Sequence, residues 1–107
     1  MLSSGQSVMP NPSAAEAVNL NRDRILDIAA RHGAARVRLI GSVARGEARP
    51  DSDVDFLVKW NDSASLLDHA SLMLELENLL ERKVDIASDG WLKPAIRDSV
   101  YRDAIDL

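Results

Sequence analysis

At 107 residues, with 46% apolar and 28% charged side chains, the chain has room for one small core and none for a second. It has no cysteine, which excludes disulfides, zinc–thiolate centres and cysteine nucleophiles and fits a cytoplasmic protein. A formal net charge of −4 argues against direct gripping of a nucleic-acid backbone, and no apolar run approaches the roughly 18 residues of a membrane-crossing helix.

Residues 1–12 are rich in Ser, Gly, Asn and Pro and read as a disordered leader, without the basic start and apolar stretch of a signal peptide. The domain is expected over 13–107. Ser13 and Glu16 have capping-box spacing, so a helix can begin at Ala14. A second helical stretch runs from Asn21 to His32, with Ile25, Ile28 and Ala29 on one face and Gly33 placed as a left-handed C-cap. His32 is expected to interact with that helix terminus.

Arg36 to Ile40 alternates charged and apolar residues and then becomes apolar, the pattern of a strand entering a sheet. Gly41-Ser42 breaks it, a helical turn follows through Val43 to Arg45, and Gly46 to Ser52 is a polar loop. Val54 to Val58 is a second strand. Ser63 or Ser65 can cap a long helix reaching about Arg82, and Lys83 to Ala87 is a third strand. Pro94 opens a helix of roughly Ala95 to Asp103. The predicted fold class is α/β (α+β), a small mixed sheet with helices packed on one face.

The long helix carries two apolar stripes. Leu66, Leu67, Ala70, Met73, Leu74 and Leu80 form a broad one, and Leu72, Leu76 and Leu79 a second. One must cover the sheet; the other is either core beneath the terminal helix or a docking surface. His69 reads as a surface residue. Trp60 and Trp91 are either core or interface residues or stacking partners for a base.

Chemistry concentrates at two neighbouring places. Asp53 and Asp55, at i and i+2 of a strand, present two carboxylates on one side while Val54 faces the other. Such hard oxygen donors suit Mg²⁺, which is commonly shared with substrate phosphates, and two ions about 3.5–4 Å apart can serve an in-line displacement. Gly41 lets the backbone approach a ligand, and Ser42 adds a hydroxyl and an N–H, so the turn is a usable phosphate cradle. Arg45 is either a further phosphate contact or the partner of Glu47 or Asp51. Asp85 lies between Val84 and Ile86, and is either a solvated edge-strand acid or the third member of a triad that includes a general base.

Gly41-Ser42, ten intervening residues and Asp53-Val54-Asp55 resemble the signature of the DNA polymerase β-type nucleotidyltransferase superfamily. The longer text GSVARGEARPDSDVDFLV, with the KVDIA strand after the long helix, is similar to the MNT proteins, minimal nucleotidyltransferases that act as antitoxins of HEPN–MNT toxin–antitoxin pairs. The resemblance spans residues 22 to 107. It implies the polymerase β-type fold and Mg²⁺-dependent transfer of AMP from ATP to a hydroxyl, usually a tyrosine, of a HEPN ribonuclease toxin held in a hetero-oligomer. By the same resemblance Asp53, Asp55 and Asp85 hold metal and serve catalysis, with two ions expected. Gly41 and Ser42 bind nucleotide, together with Arg45 and Ser52.

Two other functions stay open on sequence. One is the same chemistry on a small hydroxylated molecule, as in aminoglycoside nucleotidyltransferases, which usually carry an additional domain to hold the acceptor. The other is a binding module that silences its partner by occlusion.

Overall fold

The computed structural model describes residues 13–107, so the leader expected over 1–12 lies outside the described residues. Helix α1 (Ala14–Leu20) starts at the capping box: the Ser13 hydroxyl accepts the Glu16 N–H at 3.1 Å, and the Glu16 carboxylate accepts the Ser13 N–H at 3.0 Å. Asn21 separates it from α2 (Arg22–Arg31). Gly33, at φ +86°, then turns the chain into β1 (Ala34–Ile40).

The remaining elements are α3 (Gly41–Ala44), β2 (Val54–Trp60), α4 (Leu66–Leu80), β3 (Val84–Ser88), α5 (Pro94–Asp103) and the two-residue β4 (Ile105–Asp106). The four strands lie in the order β3-β2-β1-β4. β1 is antiparallel to both β2 and β4, while β2 and β3 are parallel, so the sheet is mixed as the sequence predicts. β4 has no counterpart among the predicted elements.

Strand alternation gives the sheet two different faces. Val37 and Leu39 of β1, Val54, Phe56 and Val58 of β2 and Val84 of β3 point to one side. There they meet Ala14, Ala17 and Val18 of α1, Ile25 and Ala29 of α2, and Leu72, Leu76 and Leu80 of α4. The other face carries Arg38, Ile40, Asp55, Leu57, Asp85 and Ala87, as the pairings Arg38–Leu57, Ile40–Asp55, Asp55–Asp85 and Leu57–Ala87 require. Helix α5 approaches this second face and buries none of its residues.

The two stripes of α4 take roles that hydrophobicity alone could not assign. Leu72, Leu76 and Leu80 are buried and Leu79 is partly so, whereas Leu66, Leu67 and Leu74 are 88%, 78% and 58% exposed. The narrow stripe therefore covers the core, and most of the broad one faces outward. Polar contacts accompany this rotation. Ser65 caps the helix reciprocally with Asp68, and Asp68 and Glu75 turn toward His32 at the end of α2. The His32 ring lies between them, with Nε2 on Glu75 and Nδ1 3.8 Å from Asp68, so it reaches across to α4 as well as capping its own helix. At the far end the Glu77 carboxylate accepts the Val84 N–H at 3.1 Å, tying α4 to the first residue of β3.

The aromatic residues divide in the same way. Trp60 stacks on His69, with ring centroids 5.7 Å apart, and donates its indole N–H to the Ser88 hydroxyl at 3.0 Å. Trp91 is 86% exposed. His69 is thus part of a packed pair rather than a free surface group.

The orientation of α4 gives a direct expectation. Leu76→Ala should cost about 2–5 kcal/mol, while Leu67→Ser should change stability by no more than about 0.5 kcal/mol. Urea denaturation of both variants checks this, and equal losses would show that the helix is rotated otherwise.

Candidate active site

Parallel pairing of β2 with β3 places Asp55 opposite Asp85 in register. Adjacent strands lie about 4.8 Å apart, so the two carboxylates are neighbours on the helix-poor face. Asp53 precedes β2 by one residue, on the same side as Asp55, and the backbone between them is held by the Val54 N–H donating to the Lys83 carbonyl at 3.0 Å. Asp53 and Asp85 are exposed, and Asp55 is partly buried.

The inner position of Asp55 depends on Gly41. That residue follows Ile40, whose ladder partner is Asp55 itself. A methyl group at Gly41 would run into Asp55 Oδ2, and would stand 3.1 Å from its Cγ and 3.2 Å from its Cβ. Gly41 also has φ +75°, a left-handed conformation that favours glycine. The glycine of the turn is therefore what lets the carboxylate lie against the start of α3.

Asp55 is electrostatically unfavourable as an anion in the metal-free protein. Burial is the first cause, the charges of Asp85 and Asp53 add to it, and Arg45 opposes them; together they raise its carboxyl above the ordinary range. Evolution toward pure stability would remove such a cluster, whereas a bound cation would relieve it.

Asp55 and Asp85 line a cleft of about 230 Å³ together with Ile40, Gly41 and Arg45. Ser42 sits directly after Gly41, where the first N–H groups of a helix have no intrahelical partner. Arg45 pairs with Glu47, the second of its alternatives, while its place leaves the first open. Its Nε donates to Glu47 at 2.9 Å, yet it lines the cleft and lies in the fields of Asp103 and Asp55. Ser52 stands apart: its hydroxyl accepts the Arg49 N–H at 2.7 Å and so holds the loop before Asp53. The opposite wall comes from α5, through Ser99, Val100 and Asp103. None of these three was singled out in the sequence, because the helix belongs to no motif and its position on the second face depends on tertiary structure.

The donor set fits Mg²⁺ in one particular way. Among the described residues no three acidic or histidine side chains converge into a closed cage. The carboxylates instead line an open edge, which suits an ion that keeps several waters and completes its shell with substrate phosphates.

Two expectations follow from this geometry. Gly41→Ala should lose about 1–3 kcal/mol, with the loss partly relieved in the Gly41→Ala/Asp55→Ala double variant; strict additivity in a double-mutant cycle would refute the close packing of the two residues. For Asp55, a raised native pKa means that its favourable contribution is complete below the unfolded carboxyl value, near 4, and is lost as pH rises through the native one. Asp55→Asn should therefore melt a few degrees higher than the parent at pH 7 in chelator, and the gap should close toward pH 4. Thermal melts across that range test the sign.

Comparison with known proteins identifies the family. The nucleotidyltransferase domain family model matches residues 22–106. A Methanocaldococcus jannaschii protein, MJ0435, to which protein adenylyltransferase activity is provisionally ascribed, is 34% identical over 90 residues, covering 84% of this chain and 97% of its own. The protein adenylyltransferase MntA of Thermococcus cleftensis is 40% identical over 75 residues, covering 70% and 76%. Among solved structures, one described provisionally as a minimal nucleotidyltransferase is 53% identical, covers 87% of this chain and 95% of its own, and superposes with a TM-score of 0.78. The fold is also shared with two more distant structures. One is a toxin–antitoxin with AMP-PNP (19% identity, 80% and 71% covered, TM-score 0.69). The other is a tri-AMPylated Shewanella oneidensis HEPN toxin in complex with MNT antitoxin (18% identity, 82% and 69% covered, TM-score 0.63). With the Gly41–Asp55–Asp85 cleft in place, the chain belongs to the nucleotidyltransferase domain family, among its minimal MNT-type members.

Proposed function

We propose that this enzyme transfers AMP from ATP to a hydroxyl, a tyrosine, of a HEPN ribonuclease toxin and thereby acts as its antitoxin. The observation that carries the chemistry is the Asp55–Asp85 pair in register beside the Gly41 turn, with Asp53 two residues from Asp55. The choice of a protein acceptor is supported by the names of the relatives, MntA being a protein adenylyltransferase. It is also supported by the fold shared with the antitoxin of an AMPylated HEPN toxin.

In this reading Gly41 and Ser42 hold the triphosphate through backbone N–H groups and the Ser42 hydroxyl, and Arg45 exchanges Glu47 for a phosphate oxygen. Ser52 acts at one remove, by holding the loop that delivers Asp53. Asp53, Asp55 and Asp85 would hold Mg²⁺, two ions when nucleotide is present, which would offset the phosphate charge and favour the ionised acceptor oxygen. Asp85, the more exposed carboxylate of the pair, accepts the proton of the attacking hydroxyl. The acceptor oxygen forms a bond to the α-phosphorus, the α–β phosphoanhydride bond breaks, and pyrophosphate leaves.

The test is the intact mass of a HEPN protein encoded beside this gene after incubation with the chain, ATP and Mg²⁺. The mass should rise by one or more adenylyl groups, and the rise should disappear with Asp53→Asn or with excess EDTA. Unmodified HEPN protein in a tight complex would instead support silencing by occlusion, and transfer undiminished in EDTA would overturn the metal role of the carboxylates.

A further inference from the structure

Helix α5 walls the cleft without an apolar anchor. None of its residues is buried, and Ile96 is 49% exposed. Its far end is fixed because the chain continues into β4, where Arg38 and Leu39 pair with Asp106 and Ile105 and Arg36 forms two 2.8 Å hydrogen bonds to the Asp106 carboxylate. Near its C-terminal end, at Tyr101, the helix meets the sheet through a polar cluster, and it also lies beside α3. Tyr101 donates its hydroxyl to Asp89 Oδ1 at 2.6 Å, Arg38 donates from Nη2 to Asp89 Oδ2, and the guanidinium lies 5.3 Å from the centre of the Tyr101 ring.

Two members of this cluster are tied to the sheet. Arg38 is in the middle of β1, paired on both sides, and Asp89 is held by its own N–H to the Val58 carbonyl at 2.8 Å. The Arg38 and Asp89 side chains are only 11% and 17% exposed, so their attraction is weakly screened by solvent. Tyr101 is one residue from Val100 and two from Ser99 and Asp103, which form the wall.

The geometry points to Arg38 and Tyr101, joined through Asp89, as positioning residues that hold α5 as the wall of the cleft opposite Gly41 and Arg45. The inference rests on the nucleotidyltransferase reading for its consequence and on the contacts alone for its mechanism. In that reading the triphosphate lies against Gly41, Ser42 and Arg45, so α5 borders the side left for the acceptor. α5 also touches α3, but Gly41 is held from the sheet, directly after Ile40 and against Asp55, so loosening α5 disturbs the approach of the acceptor hydroxyl more than the phosphate cradle. A wall attached by polar contacts to a rigid sheet can also shift without unfolding the core, since it shares little of the apolar packing.

Hydrogen exchange followed by mass spectrometry on the full chain tests the mechanism. In Tyr101→Phe, which removes one hydroxyl, and in Arg38→Met, amides of 94–103 are expected to exchange at least about 5-fold faster while those of β2 and α2 keep their rates. Affinity for ATP with Mg²⁺ stays within about twofold of the parent, and transfer to the HEPN protein loses roughly 10-fold in kcat. Arg38→Lys, which keeps the charge beside Asp89, recovers part of that loss. Unchanged exchange in α5 for both variants, or a rise spread evenly over the domain, overturns the proposal. If no variant, the parent included, transfers nucleotide, the nucleotidyltransferase reading fails while the exchange rates still decide the role of the cluster.

Discussion

Everything specific about this domain follows from a carboxylate lying against a glycine. Asp55 is drawn partly into the protein beside the first residue of α3, and only a residue without Cβ leaves it room. That contact brings the Gly41 turn and an acidic strand within one cleft. The antiparallel pairing of β1 with β2 makes it possible, because Ile40 and Asp55 are ladder partners and the chain must turn immediately after Ile40. The parallel pairing of β2 with β3 then adds Asp85 at the same level. Three elements far apart in sequence are thus brought to one place by two strand registers.

The cost of this arrangement is local and electrostatic. Three acids close together, one of them partly buried, oppose the metal-free fold, and Arg45 offsets only part of the repulsion. The apolar face of the sheet bears the burden of stability. Phe56, Ile25, Leu72 and Leu76 are fully buried there, on the side away from the acids. A small domain tolerates a strained site when its stabilising contacts are on the other face of the same strands.

Local signals were the legible ones. The capping box at Ser13, the C-cap at Gly33 and the strand bearing Asp55 each involve residues a few positions apart, and the structure has them where the sequence puts them; of the two serines offered as cap for the long helix, Ser65 takes the role. What failed was anything decided by distant partners. Leucines surround much of α4, so its periodicity was too weak to say which stripe turns inward; that depends on where the sheet, α1 and α2 meet the helix. β4 is two residues long and exists only because β1 has a free edge to pair with. The candidate site divides along the same line. Gly41 and Asp55 were singled out by spacing and Asp85 was left between two alternatives until the pairing of β2 with β3 decided its place, whereas Ser99, Val100 and Asp103 reach the cleft only through the placement of α5.

The two kinds of helix attachment have different consequences. α1, α2 and α4 are fixed by burial, which is non-directional and sums over many contacts, so they behave as one body with the sheet. α5 is fixed by a strand pair at its end and by one directed hydrogen bond, from the Tyr101 hydroxyl to an Asp89 that Arg38 also holds, which is made or lost as a unit. A nucleotidyltransferase has two demands to meet. Its acids must keep their mutual register, while the wall beside them must give way to an acceptor. Placing the acids on strands and the wall on a polar-tethered helix meets both requirements with a single sheet.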